Sequence, residues 1–400
     1  MSKHSSVAEQ KSQLGAMSCP FDHHAIRDNV DAWGQYAALR DAGPVRSENH
    51  GGYWVLSRFA DVRAALRDHQ TFSSAGGHRI PAIGAGRSLP IDVDPPAHDD
   101  YRALFTDRVT ATTVRAMEPF LQKLVHGLTR TFYKTGGGDF VPAVALAMPL
   151  AVLTELVGFS EATVSQLRVL TEQSWSRVTT DSLDDARREL REVVKSEITR
   201  HRQSQPDDYL TEMLDKTIDG RPITDDELER TLLTFAIAGH ETTANAASWL
   251  IYFLAHDAPL QRALRNDPTL AGAYVEEGLR LGTPAQMFAR ETTAETTVGD
   301  CALTAGQRVL LAYGAANRDE QQYRDAATFD VNRGARGHLA FGFGIHQCPG
   351  AMLARTELRL LLEEVVALPP FELAGEVAFD GIVGGIHLGP RHLPIRFVED

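Results

Sequence analysis

Cys348 closes the segment Phe341-Gly-Phe-Gly-Ile-His-Gln-Cys348-Pro-Gly350, directly ahead of a stretch whose apolar spacing predicts a helix over residues 350–368. A thiol just before a helix N-terminus lies near free N–H groups and the positive end of the helix dipole. Both favour the thiolate, which is the metal-binding form. The flanking glycines let the backbone approach a flat surface that side chains would hold off. Zinc is a poor fit, because Cys19 and Cys301 do not stand at ligand spacing from Cys348. The segment by itself leaves two readings open: a metal-ligating cysteine, or a buried cysteine in a glycine-rich turn.

A second group is Ala238-Gly239-His240-Glu241-Thr242-Thr243. It falls midway along a helix that the capping box Thr224-Asp-Asp-Glu227 opens and that runs to about His256. Small residues at 238 and 239 leave space beside the helix. A hydroxyl in that space can donate a hydrogen bond, and a carboxylate behind it can relay protons. Apolar flanks, Phe235-Ala-Ile237 and Trp249-Leu-Ile251, place Glu241 where an isolated charge is costly. His240 reads as a bystander. On the next helix, residues 267–281, Glu277 and Arg280 stand at i, i+3 and can pair. Spacing alone would make them an exposed surface pair.

The elements that must carry these residues are mostly helical. A first helix is expected at 31–40, a hairpin from Val45 and residues 53–56, and a second helix at 61–67. Residues 76–96 are rich in Gly and Pro and read as a long loop, which in a compact domain is often functional. From 97 to about 216 the pattern is helical, broken near residues 135–138, 158–160 and 205–206. Short strands are expected at 295–298, 308–311 and beyond Phe371. Residues 1–20 read as a disordered tail and 21–400 as one domain, with no repeat and no linker.

Hydrophobic residues at 43% and charged residues at 23% exclude disordered and fibrous classes. A net charge of −13 argues against a general nucleic-acid binder and confines any basic patch to a local one. The most apolar stretches, 141–159 and 231–255, contain Pro142, Pro149, Glu155, His240, Glu241 and Asn245. They read as buried helices, not membrane spans. Sparse cysteines and a polar start without an apolar leader predict a cytoplasmic protein. A monomer is expected.

The cysteine segment resembles F-G-x-G-x-H-x-C-x-G, the haem-ligand signature of the cytochrome P-450 superfamily. Residues 238–242 resemble that family's A/G-G-x-D/E-T, and Glu277 to Arg280 its E-x-x-R. Arg333 stands where the family supplies a third, locking charge, so the resemblance implies that Glu277, Arg280 and Arg333 fix the coil before Cys348 and take no part in catalysis. The likeness spans residues 33–397 with the motifs in order. It implies a mainly α fold with small β-sheets (α+β), the haem lying between the long central helix and the helix after the cysteine loop. Cys348 would be the axial thiolate of haem b, and His98, Arg102, Arg290 and His346 would meet its propionates. Ala238, Gly239 and Phe341 would line the cofactor, while Thr242 and Glu241 would manage protons. Pro349 departs from the apolar non-proline residue more usual after the ligand.

The activity implied is a monooxygenase that uses O2 and two external electrons to hydroxylate or O-dealkylate an organic substrate. No flavin or iron–sulfur motif follows the haem domain, so a separate ferredoxin (or flavodoxin) and its reductase would bring electrons from NAD(P)H. Arg63, Arg102, Arg355 and Arg359 would form a basic patch on the cysteine side for an acidic partner. The alternatives are a haem-thiolate enzyme that uses peroxide or needs no O2, and, further off, a haem-based sensor. By resemblance the pocket is lined by residues 76–89 and 175–180, Thr234, Ile237, residues 285–288, Ile382 and Val383. Ile80, Met287 and Phe288 make this lining mainly apolar, which suits a compact, largely apolar substrate. His78, Arg79 and Arg87 either face solvent or meet an acidic or oxygenated group on that substrate.

Overall fold

The computed structural model describes residues 18–82, 87–175, 183–334 and 337–399. The longer helices are α1 (Asn29–Ala42), α2 (Phe59–Arg67), α3 (Ala97–Thr106), α4 (Ala111–Lys134), α5 (Ala147–Val157), α6 (Glu161–Trp175), α7 (Leu183–Ser204), α8 (Asp225–His256), α9 (Ala258–Asn266), α10 (Ala271–Gly282) and α11 (Ala351–Val366). The expected α+β class holds.

The principal sheet contains β1 (Ser18–Cys19), β2 (Val45–Ser47), β3 (Tyr53–Leu56), β4 (Phe72–Ser73), β5 (Met287–Thr292) and β6 (Arg308–Ala312). Its order is β1-β2-β3-β6-β5-β4, with β1/β2 and β3/β6 parallel and the other pairs antiparallel. Ser18 and Cys19 pair with Arg46 and Ser47, so the tail expected through residue 20 ends too late in the chain. Residues 1–17 lie outside the described ones.

α8 sets the frame. Thr224 Oγ1 accepts from the Glu227 N–H and Glu227 Oε2 accepts from the Thr224 N–H, so the capping box forms. Over 32 residues the helix is roughly 48 Å long at 1.5 Å per residue. Leu228, Leu232, Phe235, Ala247, Leu250, Ile251 and Leu254 are buried in the largest apolar core, shared with α4, α5, α7 and α11. α10 lies close against α8 because Gly278 and Gly282 face Leu250 and Trp249. A Cβ on either glycine would fall 2.3 and 2.6 Å from those side chains.

The expected Glu277–Arg280 pair is internal rather than a surface pair. Arg280 donates to both Glu277 oxygens at 2.9 and 2.6 Å, and Arg333 Nε donates to Glu277 Oε1 at 3.1 Å. Arg280 also donates to the carbonyls of Asn317, Ala326 and Thr328. This knot ties α10 to the coil that leads to Cys348.

Candidate active site

The cysteine loop is two short 3-10 turns, Leu339–Phe341 and Gly344–His346, followed by Cys348 and α11. Gly342 and Gly344 have φ of 69° and 75°, and a Cβ on Gly344 would fall 2.3 Å from the Leu66 carbonyl oxygen. The Cys348 N–H donates to the Phe341 carbonyl at 2.8 Å, closing the loop. Burial pushes the Cys348 thiol up, while a hydrogen bond from the Gly350 backbone and the guanidinium groups of Arg102 and Arg355 act in the opposite direction. Pro349 has no N–H to offer, so Gly350 supplies that bond.

Cys348 faces a cavity of about 1500 Å³, part of it open to solvent. Ala238, Gly239, Thr242 and Thr243 of α8 form another part of its wall, with Phe105 and Arg102 of α3, Leu153 and Leu156 of α5, and Leu353, Ala354, Glu357 and Leu358 of α11. Phe341, His346 and Arg290 complete the set. The two groups singled out in the sequence therefore meet at one cavity. Thr242 Oγ1 donates to the Ala238 carbonyl at 2.8 Å, so its hydroxyl rests on its own helix.

Glu241 is 1% exposed and is absent from the cavity wall, although it neighbours Thr242 in α8. Its Oε1 is 2.9 Å from Arg391 Nη1, and Arg391 Nε is 3.6 Å from Asp380. Burial works against the charge, yet Arg391, His387 and His240 hold the carboxyl below its ordinary range. His240 Nδ1–H donates to the Ala236 carbonyl at 2.6 Å and its Nε2 is 3.8 Å from Glu241 Oε2, closer to the acid than a bystander need be.

Cationic and histidine side chains gather at one end. Arg102 is half-buried, and Arg290 is buried with Nη1 donating to the Ala289 carbonyl at 2.7 Å. His346 Nε2 is 3.0 Å from Ser74 Oγ; burial, then Arg290, His98 and Arg102, lower its pKa to about 2. His98 stands behind it, ring centroids 4.6 Å apart, with Nδ1 on Asp99 at 2.9 Å. The buried Nε2 of His98 has no hydrogen-bond partner among the described residues.

Part of the expected lining is corrected. Ile80, Met287 and Ile382 are packed into a second apolar core beside Trp249 and do not reach the cavity. Ala285 and Phe288 do, joined by Pro90, Ile91 and Pro284. Arg79 is buried on the Gly384 carbonyl and His78 on Asp92, and neither they nor the exposed Arg87 wall the cavity. Residues 83–86 and 176–180 lie outside the described ones. The basic patch is also smaller than expected. Arg355 pairs with Glu276 at 2.5 Å, Arg359 with Glu118 and Glu363, and Arg102 faces the cavity.

The family model for cytochrome P450 matches residues 164–374. Over 389 residues the chain is 35% identical to cytochrome P450 130 of Mycobacterium tuberculosis, covering 91% of this chain and 94% of the relative. It is 33% identical over 352 residues to the beta-dihydromenaquinone-9 omega-hydroxylase of the same organism, covering 84% and 70%. The solved structure of cytochrome P450 CYP109Q5 from Chondromyces apiculatus matches with a TM-score of 0.79 and 29% identity, covering 92% and 96%. The chain belongs to the cytochrome P450 family. It is a monooxygenase of that family, and the family implies haem.

The residues present fit that group. A thiol at the wall of a largely apolar cavity suits iron, glycines at 239 and 350 keep two wall positions bare, and the cation-rich end with its unpartnered His98 nitrogen suits two carboxylates. Sequence reasoning missed Arg391, Ser74 and Glu357. Arg391 and Ser74 act across long chain separations and leave no local pattern. Glu357 shares a helix face with Leu353, Ala354 and Leu358, and a lone acid on an otherwise apolar face was the available signal.

Proposed function

We propose that Cys348 is the axial ligand of haem b and that the enzyme hydroxylates or O-dealkylates a compact, largely apolar substrate. The observation that carries the reading is the single cavity on which Cys348, Thr242 and the Arg102, Arg290, His346 group converge. His98, Arg102, Arg290 and His346 hold the propionates, and Ala238, Gly239 and Phe341 shape the walls. When bound, haem supplies the activation of O2 and the oxidation of a substrate bond.

The protein's own part is binding, exclusion of water and proton handling. Ile91, Pro284, Ala285 and Phe288 offer apolar surface that desolvates a hydrocarbon substrate. Among the described residues, the charged side chains of the cavity wall are Arg102, Arg290 and Glu357, and the two arginines belong to the propionate end. That favours a neutral substrate over a carboxylate. The Thr242 hydroxyl turns from the Ala238 carbonyl to donate its proton into the cavity, and Glu241, ionised beside Arg391, takes up a proton that originates in solvent and passes it to the Thr242 oxygen, returning to the carboxylate. Electrons come from a separate ferredoxin (or flavodoxin) and its reductase, drawing on NAD(P)H.

The test is spectroscopic. The reduced, carbon monoxide-bound protein is expected to show the strongly red-shifted Soret band of thiolate-ligated haem. Cys348→Ala is expected to lose it, whereas Cys19→Ala and Cys301→Ala keep it. Persistence of the band in Cys348→Ala overturns the assignment. Turnover with reduced nicotinamide and a ferredoxin system, compared with peroxide alone, then separates O2 activation from peroxide use.

A further inference from the structure

One acid on the cavity wall has no task in the reaction described so far. Glu357 lies in the second turn of α11, on the same face as Leu353, Ala354 and Leu358, all of which wall the cavity. It is 3% exposed, and its Oε2 has no hydrogen-bond partner among the described residues. The other acids of this region each have a charged partner: Glu277 has Arg280 and Arg333, Glu276 has His338 and Arg355, and Glu241 has Arg391. Among the described residues Glu357 has none.

A buried, unpartnered carboxyl is a poor structural choice. Left ionised it carries a large desolvation cost, and protonated it still buries a polar atom unsatisfied, about 1–3 kcal/mol worse than a bonded one. Glutamine or leucine would fill the same volume. Unsatisfied polar groups of this kind concentrate at working sites.

Resting on the haem assignment above, we infer that Glu357 is the proton-holding group of the haem pocket, its protonation coupled to the charge on the haem. At a pH where Glu357 is ionised, an electron entering the haem from a partner is accompanied by one proton, taken from solvent onto a carboxylate oxygen of Glu357. When the electron leaves, that O–H bond breaks and the proton returns to solvent. No other bond changes, so charge and atoms balance.

The electrostatics agree with this geometry. Burial alone raises the Glu357 pKa to about 8, and no charged group of α4, α8, α9 or α10, the helices packed on α11, contributes. The cavity's other charged or titratable groups, Arg102, Arg290, Tyr313, His346 and Cys348, leave the shift unaltered as well. At neutral pH the group is therefore a neutral acid that can donate. At higher pH it ionises, and an added negative charge on the haem draws the proton back.

The experiment is the midpoint potential of the haem-loaded enzyme, measured against pH from neutral to alkaline. The wild type is expected to hold a plateau and then fall with rising pH once Glu357 ionises. Glu357→Gln is expected to abolish the alkaline fall, and Glu357→Asp to keep it. As a second reading, redox difference infrared spectra should contain a protonated-carboxyl stretch that shifts in D2O and is lost in Glu357→Gln. An alkaline slope unchanged in Glu357→Gln, or the absence of that band from the wild type, overturns the inference. The carbon monoxide spectrum of each sample reports the Cys348 assignment independently, so failure of one is distinguishable from failure of the other.

Discussion

At the residue scale, the chemistry hangs on where two hydroxyl and carboxyl protons can go. Thr242 contributes little to the fold: its hydroxyl bonds a helix carbonyl that already serves the helix, and its side chain is only half-buried. Thr242→Ala should therefore fold, load haem and bind substrate normally. Without an ordered donor facing the cavity, electrons should be diverted to hydrogen peroxide, with product per reduced nicotinamide falling by about 10²-fold, the low end for a lost acid–base group. Thr242→Ser should recover most of the coupling. Measuring product, peroxide and nicotinamide together checks this, and unchanged coupling in Thr242→Ala counts against the role. Both Thr242 and Cys348 were legible in the sequence, because each lies in a contiguous run whose local geometry it dictates. The partner of Glu241 was not: Arg391 reaches it from the C-terminal strand Pro390–His392, and no spacing rule links residues so far apart. Ile80 and Ile382 were misread for a related reason. An apolar side chain on a loop suits a ligand cavity and a packed core equally, and only the tertiary fold decides between them.

At the scale of elements, α8, α10 and α11 hold the site in register, and their contacts make two quantitative expectations. Gly278 admits Leu250 so closely that Gly278→Val should overpack the α8–α10 contact and destabilise by about 1–3 kcal/mol. Gly272, also in α10, has nothing within 4 Å of a built Cβ, so Gly272→Ala should be neutral or stabilise by up to about 1 kcal/mol. Thermal unfolding of the two variants checks the pair; equal effects would refute the packing account. Glu276 joins α10 to His338 and to Arg355 of α11. Burial opposes its charge, but those two partners bring its pKa down from 4.5 to about 2. A depressed carboxylate stabilises above its unfolded pKa, so this contribution is present above pH 4.5 and drains as pH falls toward 2. It amounts to at most about 3 kcal/mol, at about 1.4 kcal/mol per pKa unit. Urea unfolding across that range should show the loss in the wild type and a flatter profile in Glu276→Gln. The helices themselves were largely readable, since Thr224 and Glu227 announce α8 and the 3.6 periodicity carries it to His256. Strand β5 was not, because Met287-Phe-Ala-Arg-Glu-Thr292 buries Arg290 and Thr292 alongside its apolar residues and so breaks the alternation expected of a strand.

At the scale of the molecule, a chain of net charge −13 must still attract the electron donor proposed for it. An acidic ferredoxin is repelled by the whole and drawn only by a local surface. Of the arginines expected there, Arg355 and Arg359 are neutralised by glutamates. Arg63 differs. It is exposed, its guanidinium stacks 4.7 Å from the Phe343 ring of the cysteine loop, and it forms no ion pair among the described residues. Arg63 is therefore the cation best placed to orient a negative partner beside Cys348. Stopped-flow reduction by an acidic ferredoxin should slow as ionic strength rises, because salt screens the local attraction over about 10 Å at 0.1 M. Arg63→Glu should lower the bimolecular rate and invert the salt dependence, since only the repulsion from the rest of the chain would then remain to be screened. Arg359→Gln should change it far less, because it removes a charge that Glu118 and Glu363 already offset. If all three proteins gave one salt dependence, the donor would have to approach another face or dock without electrostatic guidance.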